Sequence, residues 1–141
     1  MTCTISWFGD TQRIMLMEMR ENWTWQEFYP VFTQQREMIA KVSHPHPVHT
    51  IIDMRDAHLH IPTNTIANMR NMAGNQVENS GVKVIVTSSR LVHVMFETIR
   101  RILPHKRKAM FEKYYTIVHT WDEAIEFIDA MIAKEDQQTE D

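Results

Sequence analysis

Residues Val82 to Ile102 read VKVIVTSSRLVHVMFETIRRI, an apolar, valine-rich run that passes through Thr87, Ser88 and Ser89 straight into apolar residues at helical spacing. A strand that feeds a helix through hydroxyl side chains is the opening of a βα unit, because Ser and Thr oxygens accept from the free N–H groups of a first helical turn. Such units return their strands in parallel, so this stretch points to an α/β chain with helices packed on a mostly parallel sheet. It also directs attention to one edge of that sheet. In open α/β sheets, ligands and partners gather where strands end and helices begin.

The rest of the chain extends the pattern. Thr4–Phe8 and Arg13–Met19 are β-like runs separated by Gly9-Asp10-Thr11-Gln12, which predicts a hairpin. In the second run Ile14 and Leu16 alternate with Met15, Met17 and Met19, so both faces are apolar. A strand of that kind is either covered on both sides or meets a partner, which leaves a homodimer open. Thr24-Trp25-Gln26-Glu27 has capping-box spacing and opens a helix carrying Trp25, Phe28, Tyr29, Phe32 and Ile39 on one side. Pro30 predicts a kink in that helix, because its ring removes one backbone hydrogen bond and crowds the preceding turn.

His44-Pro45-His46-Pro47 is a connector, and Val48–Asp53 is a short strand. A helix over about 64–79 is supported by Ile66, Met69, Ala73 and Val77, with Gly81 suited to a cap or turn behind it. Ser88 or Ser89 caps the helix running to about Leu103, and Pro104 stops it. Tyr114–Val118 is the last strand. Thr120-Trp121-Asp122-Glu123 repeats the capping-box spacing and opens the last helix. The order is ββαβαβαβα, and residues 1–134 read as one domain. Glu135, Asp136, Glu140 and Asp141 read as a solvated acidic tail over 135–141.

Composition narrows the function classes. A net charge of −3 argues against a general nucleic-acid binder, for which a basic excess is expected. Arg100, Arg101, His105, Lys106, Arg107, Lys108 and Lys113 do cluster, which the dipole at a helix C-terminus accounts for. Cys3 is the single cysteine, so an internal disulfide and a cysteine-rich zinc site are excluded. No signal peptide opens the chain and no apolar run approaches the roughly 20 residues of a membrane span, so a cytoplasmic location is expected. The 11 methionines are spread along the chain and read as core filler.

Three segments carry a family likeness. HTIIDMRD (His49–Asp56), VKVIVTSSRLVHVMFETIRRILP and YYTIVHTWDEAIEFI, in this order of elements, resemble the STAS domain superfamily, the fold of bacterial anti-sigma-factor antagonists. The resemblance covers nearly the whole chain. It implies a STAS-like single domain with a mixed, mostly parallel five-stranded sheet and about four helices, acting by protein–protein contact. In the antagonists a phosphorylated Ser followed by Gly stands at the helix after the Asp-containing strand. Here that region reads His60-Ile61-Pro62-Thr63-Asn64-Thr65-Ile66, with neither residue. The chain is therefore similar to a divergent STAS-like group, in which Thr63 and Thr65 are the nearest hydroxyls for phosphorylation.

With parallel strands, Asp53–Asp56, Pro62–Thr65, Thr87–Arg90 and His119–Thr120 converge on one rim. Helix N-termini there favour anions, and Arg55 or Arg90 could pair with a phosphate on Thr63 or Thr65. Asp53, Arg55, Asp56, Thr63, Thr65, Ser88, Ser89 and Arg90 are the expected partner- or anion-binding residues; plain helix capping by the same hydroxyls is the simpler alternative.

Other chemistry has thin support. His58 and His60 share one side of an extended segment, but only Asp53, Asp56 or His49 could supply a third ligand, so no metal is expected. Cys3 has no visible base beside it, Ser88 and Ser89 lack a nucleophile elbow, and the three glycines form no phosphate loop. No catalytic residue and no cofactor are assigned. Trp25, Trp121, Phe28 and Phe127 are expected in the core, whereas Trp7 and Trp23 lie outside those stripes and an exposed patch including them would mark an interface. The leading expectation is a non-enzymatic regulatory domain that binds another regulatory protein. A small-molecule domain for an anionic or lipid-like ligand, at the rim or in an apolar pocket, is the alternative, and a phosphoswitch at Thr63 or Thr65 is a variant of the first.

Overall fold

The computed structural model describes residues 2–57, 62, 64–73 and 77–140. Five strands form one sheet in the order β1 (Cys3–Trp7), β2 (Ile14–Met19), β3 (Val48–Asp53), β4 (Ser80–Val86) and β5 (Tyr115–Val118). Only the β1–β2 hairpin is antiparallel; every later pair is parallel. The hairpin turns through Gly9 (φ 80°) and Gln12 (φ 55°), the first of which supplies positive φ without a Cβ penalty.

The helices are α1 (Trp25–Ala40), α2 (Thr65–Ala73), α3 (Arg90–Ile102), α4 (His105–Tyr114) and α5 (Trp121–Glu140). Each parallel strand is laid beside the one before it, always advancing in the same direction. Crossovers of one hand then put all connecting helices on one face of the sheet. Phe28 and Phe32 of α1, Met72 of α2, Phe96 and Ile99 of α3 and Phe111 of α4 accordingly share one core with Met17, Ile52 and Ile85. The other face is left to α5, which follows the last strand and crosses nothing. Its Ala124 and Ile128 pack on Ile51, Val84 and Val86, all five at 0% exposure. Burying each such aliphatic side chain contributes about 1.5–3 kcal/mol.

β2 is covered on both sides. Met15, Met17 and Met19 are buried towards the four-helix face, and Ile14 and Leu16 pack against the α5 cluster. Thr24 caps α1 as its spacing predicts: its Oγ1 accepts from the Glu27 N–H at 3.3 Å and donates to Glu27 Oε1 at 3.0 Å. α1 then runs as one element, Trp25–Ala40, through Pro30.

Several expectations are corrected. There are five helices among the described residues, not about four. α4 escapes a reading by periodicity because Phe111 is its one buried residue, Pro104 offers no side-chain cap, and its first turn is basic. Docking of Phe111 between Phe96 and Tyr115, at ring distances of 4.8 and 5.3 Å, holds it instead. α2 is described over Thr65–Ala73, and 77–79, expected to be helical, are not: Val77 packs with Met15, Ile39 and Val48. Gly81 caps no helix. It lies within β4, where an added Cβ would stand 2.4 Å from the His49 ring and 2.9 Å from the Val48 carbonyl oxygen. Glu135 and Asp136 do not belong to a solvated tail: α5 continues to Glu140, and Arg13 bridges Glu135 at 3.0 Å and Asp136 at 2.8 Å. Trp23 is buried, which removes it from any surface patch, whereas Phe127 faces outward at 36% exposure.

Candidate binding rim and the cavity beneath it

Glu18 of β2 is in register with Asp53 of β3, Asp53 with Val86 of β4, and Val86 with Val118 of β5. The strand ends are therefore level. Two backbone bonds carry the alignment past the strands, from Met54 N to Val86 O at 2.9 Å and from Thr87 N to Val118 O at 3.1 Å. Asp53, Thr87 and His119 thus stand at neighbouring strand ends on one edge, which brings the 53–56, 87–90 and 119–120 segments of the expected rim together.

Most of its polar groups are engaged with one another. Arg55 forks onto Asp53 with Nε–Oδ1 and Nη2–Oδ2 distances of 2.9 Å each, and the Arg55 backbone N–H adds a third bond at 3.0 Å. Burial pushes the Asp53 carboxyl up, but the hydrogen bonds and charge of Arg55 outweigh it and hold the group below its ordinary value. The same guanidinium lies 4.9 Å from the centre of the Trp121 ring at the start of α5. Arg55 therefore ties the end of β3 to α5, and an anion would have to compete with Asp53 for it.

Thr87 is buried, and its Oγ1 accepts from the Ser89 N–H at 3.1 Å. Ser89 is the cap of α3, its Oγ accepting from the Val92 N–H at 3.3 Å. Ser88, Arg90 and Asp56 are exposed. Thr65 is buried at 4% exposure, donates to the Pro62 carbonyl at 2.5 Å and accepts from Trp25 Nε1 at 3.0 Å. That doubly engaged hydroxyl is out of reach of a modifying enzyme in this conformation. Thr63, His58 and His60 lie outside the described residues. Among the described residues no three His, Cys, Asp or Glu side chains group as metal ligands.

Two participants were invisible to pattern reading. His93, one turn into α3, bonds through Nε2 to the Thr87 carbonyl oxygen at 2.8 Å and stacks on His119 with ring centres 4.1 Å apart. The pairing of Arg55 with Trp121 likewise joins distant segments. Only the strand order brings either pair together, and no local spacing announces it.

Beneath the rim, between the sheet and α1, α2 and α3, lies a cavity of about 60 Å³ with a wholly apolar wall. Trp23, Trp25, Met54, Met69, Ile85 and Phe96 are among its lining residues, and Thr65 borders it. A void whose wall is apolar in this way suits a compact apolar molecule better than a charged one.

No family model matches this sequence, and no curated protein matches it. Among solved structures it is similar to an uncharacterized protein of the DUF3478 family from Shewanella loihica PV-4, described as having a SpoIIAA-like fold. The TM-score is 0.56 at 8% sequence identity, over 89% of this chain and 94% of that one. The chain has a SpoIIAA-like fold. The expected STAS-type α/β architecture, with its mixed, mostly parallel five-stranded sheet, is thereby borne out. At that identity the likeness concerns the fold alone. No helix among the described residues is long and apolar enough to cross a membrane.

Proposed function

We propose that this chain is a non-enzymatic, cytoplasmic STAS-like regulatory domain that binds another protein through the rim of Asp53, Arg55, Asp56, Ser88, Ser89 and Arg90. The observation that carries the reading is how the rim spends its polar groups. Asp53 is locked to Arg55, and Thr87 and Ser89 are consumed in turn and cap bonds, so they are fixed shape rather than free acids, bases or nucleophiles. Asp56, Ser88 and Arg90 project from that rigid frame as recognition groups. A surface of this type binds by complementarity of charge and shape.

The test is crosslinking of the native chain to its partner in cells, repeated with Asp56→Lys and Arg90→Glu. A partner captured by the native chain and lost from both variants, each still folded by circular dichroism, supports the reading. Capture that both variants retain places the contact elsewhere and overturns it.

The cavity favours a second reading, a domain that senses a compact apolar molecule held beneath Thr65 and Met54. Native mass spectrometry of the purified chain separates the two: a co-purified apolar ligand supports sensing, and a bare mass of 16.8 kDa counts against it.

A further inference from the structure

Charge is divided sharply along this chain. Residues 65–113 hold nine Lys or Arg against three Asp or Glu, whereas the remainder holds six against fifteen. The topology separates the extremes of that division: α3 and α4 lie on one side of the sheet, whereas α5, which carries Asp122, Glu123, Glu126 and Asp129, lies on the other.

On the α3–α4 side, Arg90, Arg101, Lys106, Arg107 and Lys113 are exposed. Attraction to a helix C-terminus accounts for Arg100 and Arg101, and Arg100 is engaged with Glu97 and Glu112. It does not account for Lys106, Arg107 and Lys108. They open α4, where the helix dipole opposes them, and none makes an ion pair among the described residues. Between the charges, Leu91, Val94 and Ile102 stand 50%, 54% and 48% exposed on one side of α3. The α5 side is the counterpart. Asp122, Glu123, Glu126 and Asp129 are exposed there, with Phe127 in their midst at 36% exposure.

We propose that copies of this chain associate head to tail, the basic α3–α4 face of one docking on the acidic α5 face of the next. Each copy carries both halves of a charge-matched contact, and both halves display the apolar side chains that a stable contact must bury. Because the halves lie on opposite faces of the sheet, the contact is heterologous. Two copies leave one half of each kind unused, so assembly grows as an open stack rather than closing as a two-fold dimer.

Sedimentation velocity of the full chain tests this across a range of protein concentrations, at about 20 mM and about 500 mM NaCl, where screening lengths differ severalfold. The expected result is mass rising beyond dimer with concentration at low salt and returning to the 16.8 kDa monomer at high salt. Lys106→Glu with Lys108→Glu, and separately Glu126→Lys with Asp129→Lys, should each leave a monomer at low salt. Mixing the two reversed variants should restore assembly, a readout that a merely misfolded variant cannot give. A native chain that stays monomeric at low salt, or a mixture that does, overturns the proposal. So does a monomer that sediments with phosphatidylglycerol vesicles, which would assign the basic face to an anionic bilayer.

Discussion

His49 shows how much one side chain can organise. It is 1% exposed, its Nδ1 accepts from the Val82 N–H at 2.9 Å, and its Nε2 faces Glu135 Oε1 at 2.8 Å. The Val82 bond fixes the neutral tautomer with the proton on Nε2, because Nδ1 can accept only while it carries no proton. Burial pushes the His49 pKa down, reinforced by Arg13 and Lys83 and opposed by Glu135. A histidine depressed in the folded state contributes stability that is fully present above its unfolded value near 6.5 and is lost as pH falls below it. Urea unfolding midpoints should therefore decline from pH 7.5 to pH 5, and His49→Gln should flatten that decline. Gly81 serves the same ring by leaving room for it. Gly81→Ala should cost about 3 kcal/mol through forced displacement of the imidazole and loss of the Val82 bond, measured by urea denaturation. Read as sequence, Gly81 resembled punctuation and His49 a loosely placed third metal ligand, since neither local pattern nor composition records which strand will lie alongside.

At the scale of elements, the capping boxes at Thr24 and Thr120 and the hydroxyl run at Thr87–Ser89 were legible because a cap is a local contract between residues three apart. β3 was legible to the residue because prolines at 45 and 47 stop any other element in front of it and β-branched Val48, Thr50, Ile51 and Ile52 favour a strand. The failures were elements whose stability is tertiary. α4 has neither cap nor apolar stripe, and Val77, apolar at helical spacing from Met69 and Ala73, lies outside a helix and packs instead with Met15, Ile39 and Val48. Pro30 offers the cleanest test of an element. It is exposed in the interior of α1, where its ring denies the Gln26 carbonyl a helical donor. Pro30→Ala should stabilise the chain by about 1–2 kcal/mol, less than the full helix-propensity difference because the unfolded chain also gains freedom. A raised urea midpoint with an unchanged slope is the expected signature.

The whole molecule is fastened at both sheet edges by contacts that span it. Arg55 joins β3 to the first turn of α5, and Arg13 and His49 grip the same helix at Glu135 and Asp136. Arg13 and Glu135 are 13% and 16% exposed, so removing one leaves the other largely buried without its opposite charge. A chain ending at Lys134 should lose about 3 kcal/mol, whereas one ending at Asp136 should stay within about 0.5 kcal/mol of the native chain, compared by thermal and urea unfolding. The rim was legible at this scale because parallel strands bring their ends level whatever their order, while its internal pairings waited on that order.

Strand order that follows chain order has a consequence at the ribosome. Each new strand finds its neighbour already emerged, so the four-helix side can assemble stepwise during synthesis. Ile51, Val84 and Val86 have no cover until α5, made after all five strands, emerges, and until then the nascent chain carries that greasy flank, a natural foothold for chaperones.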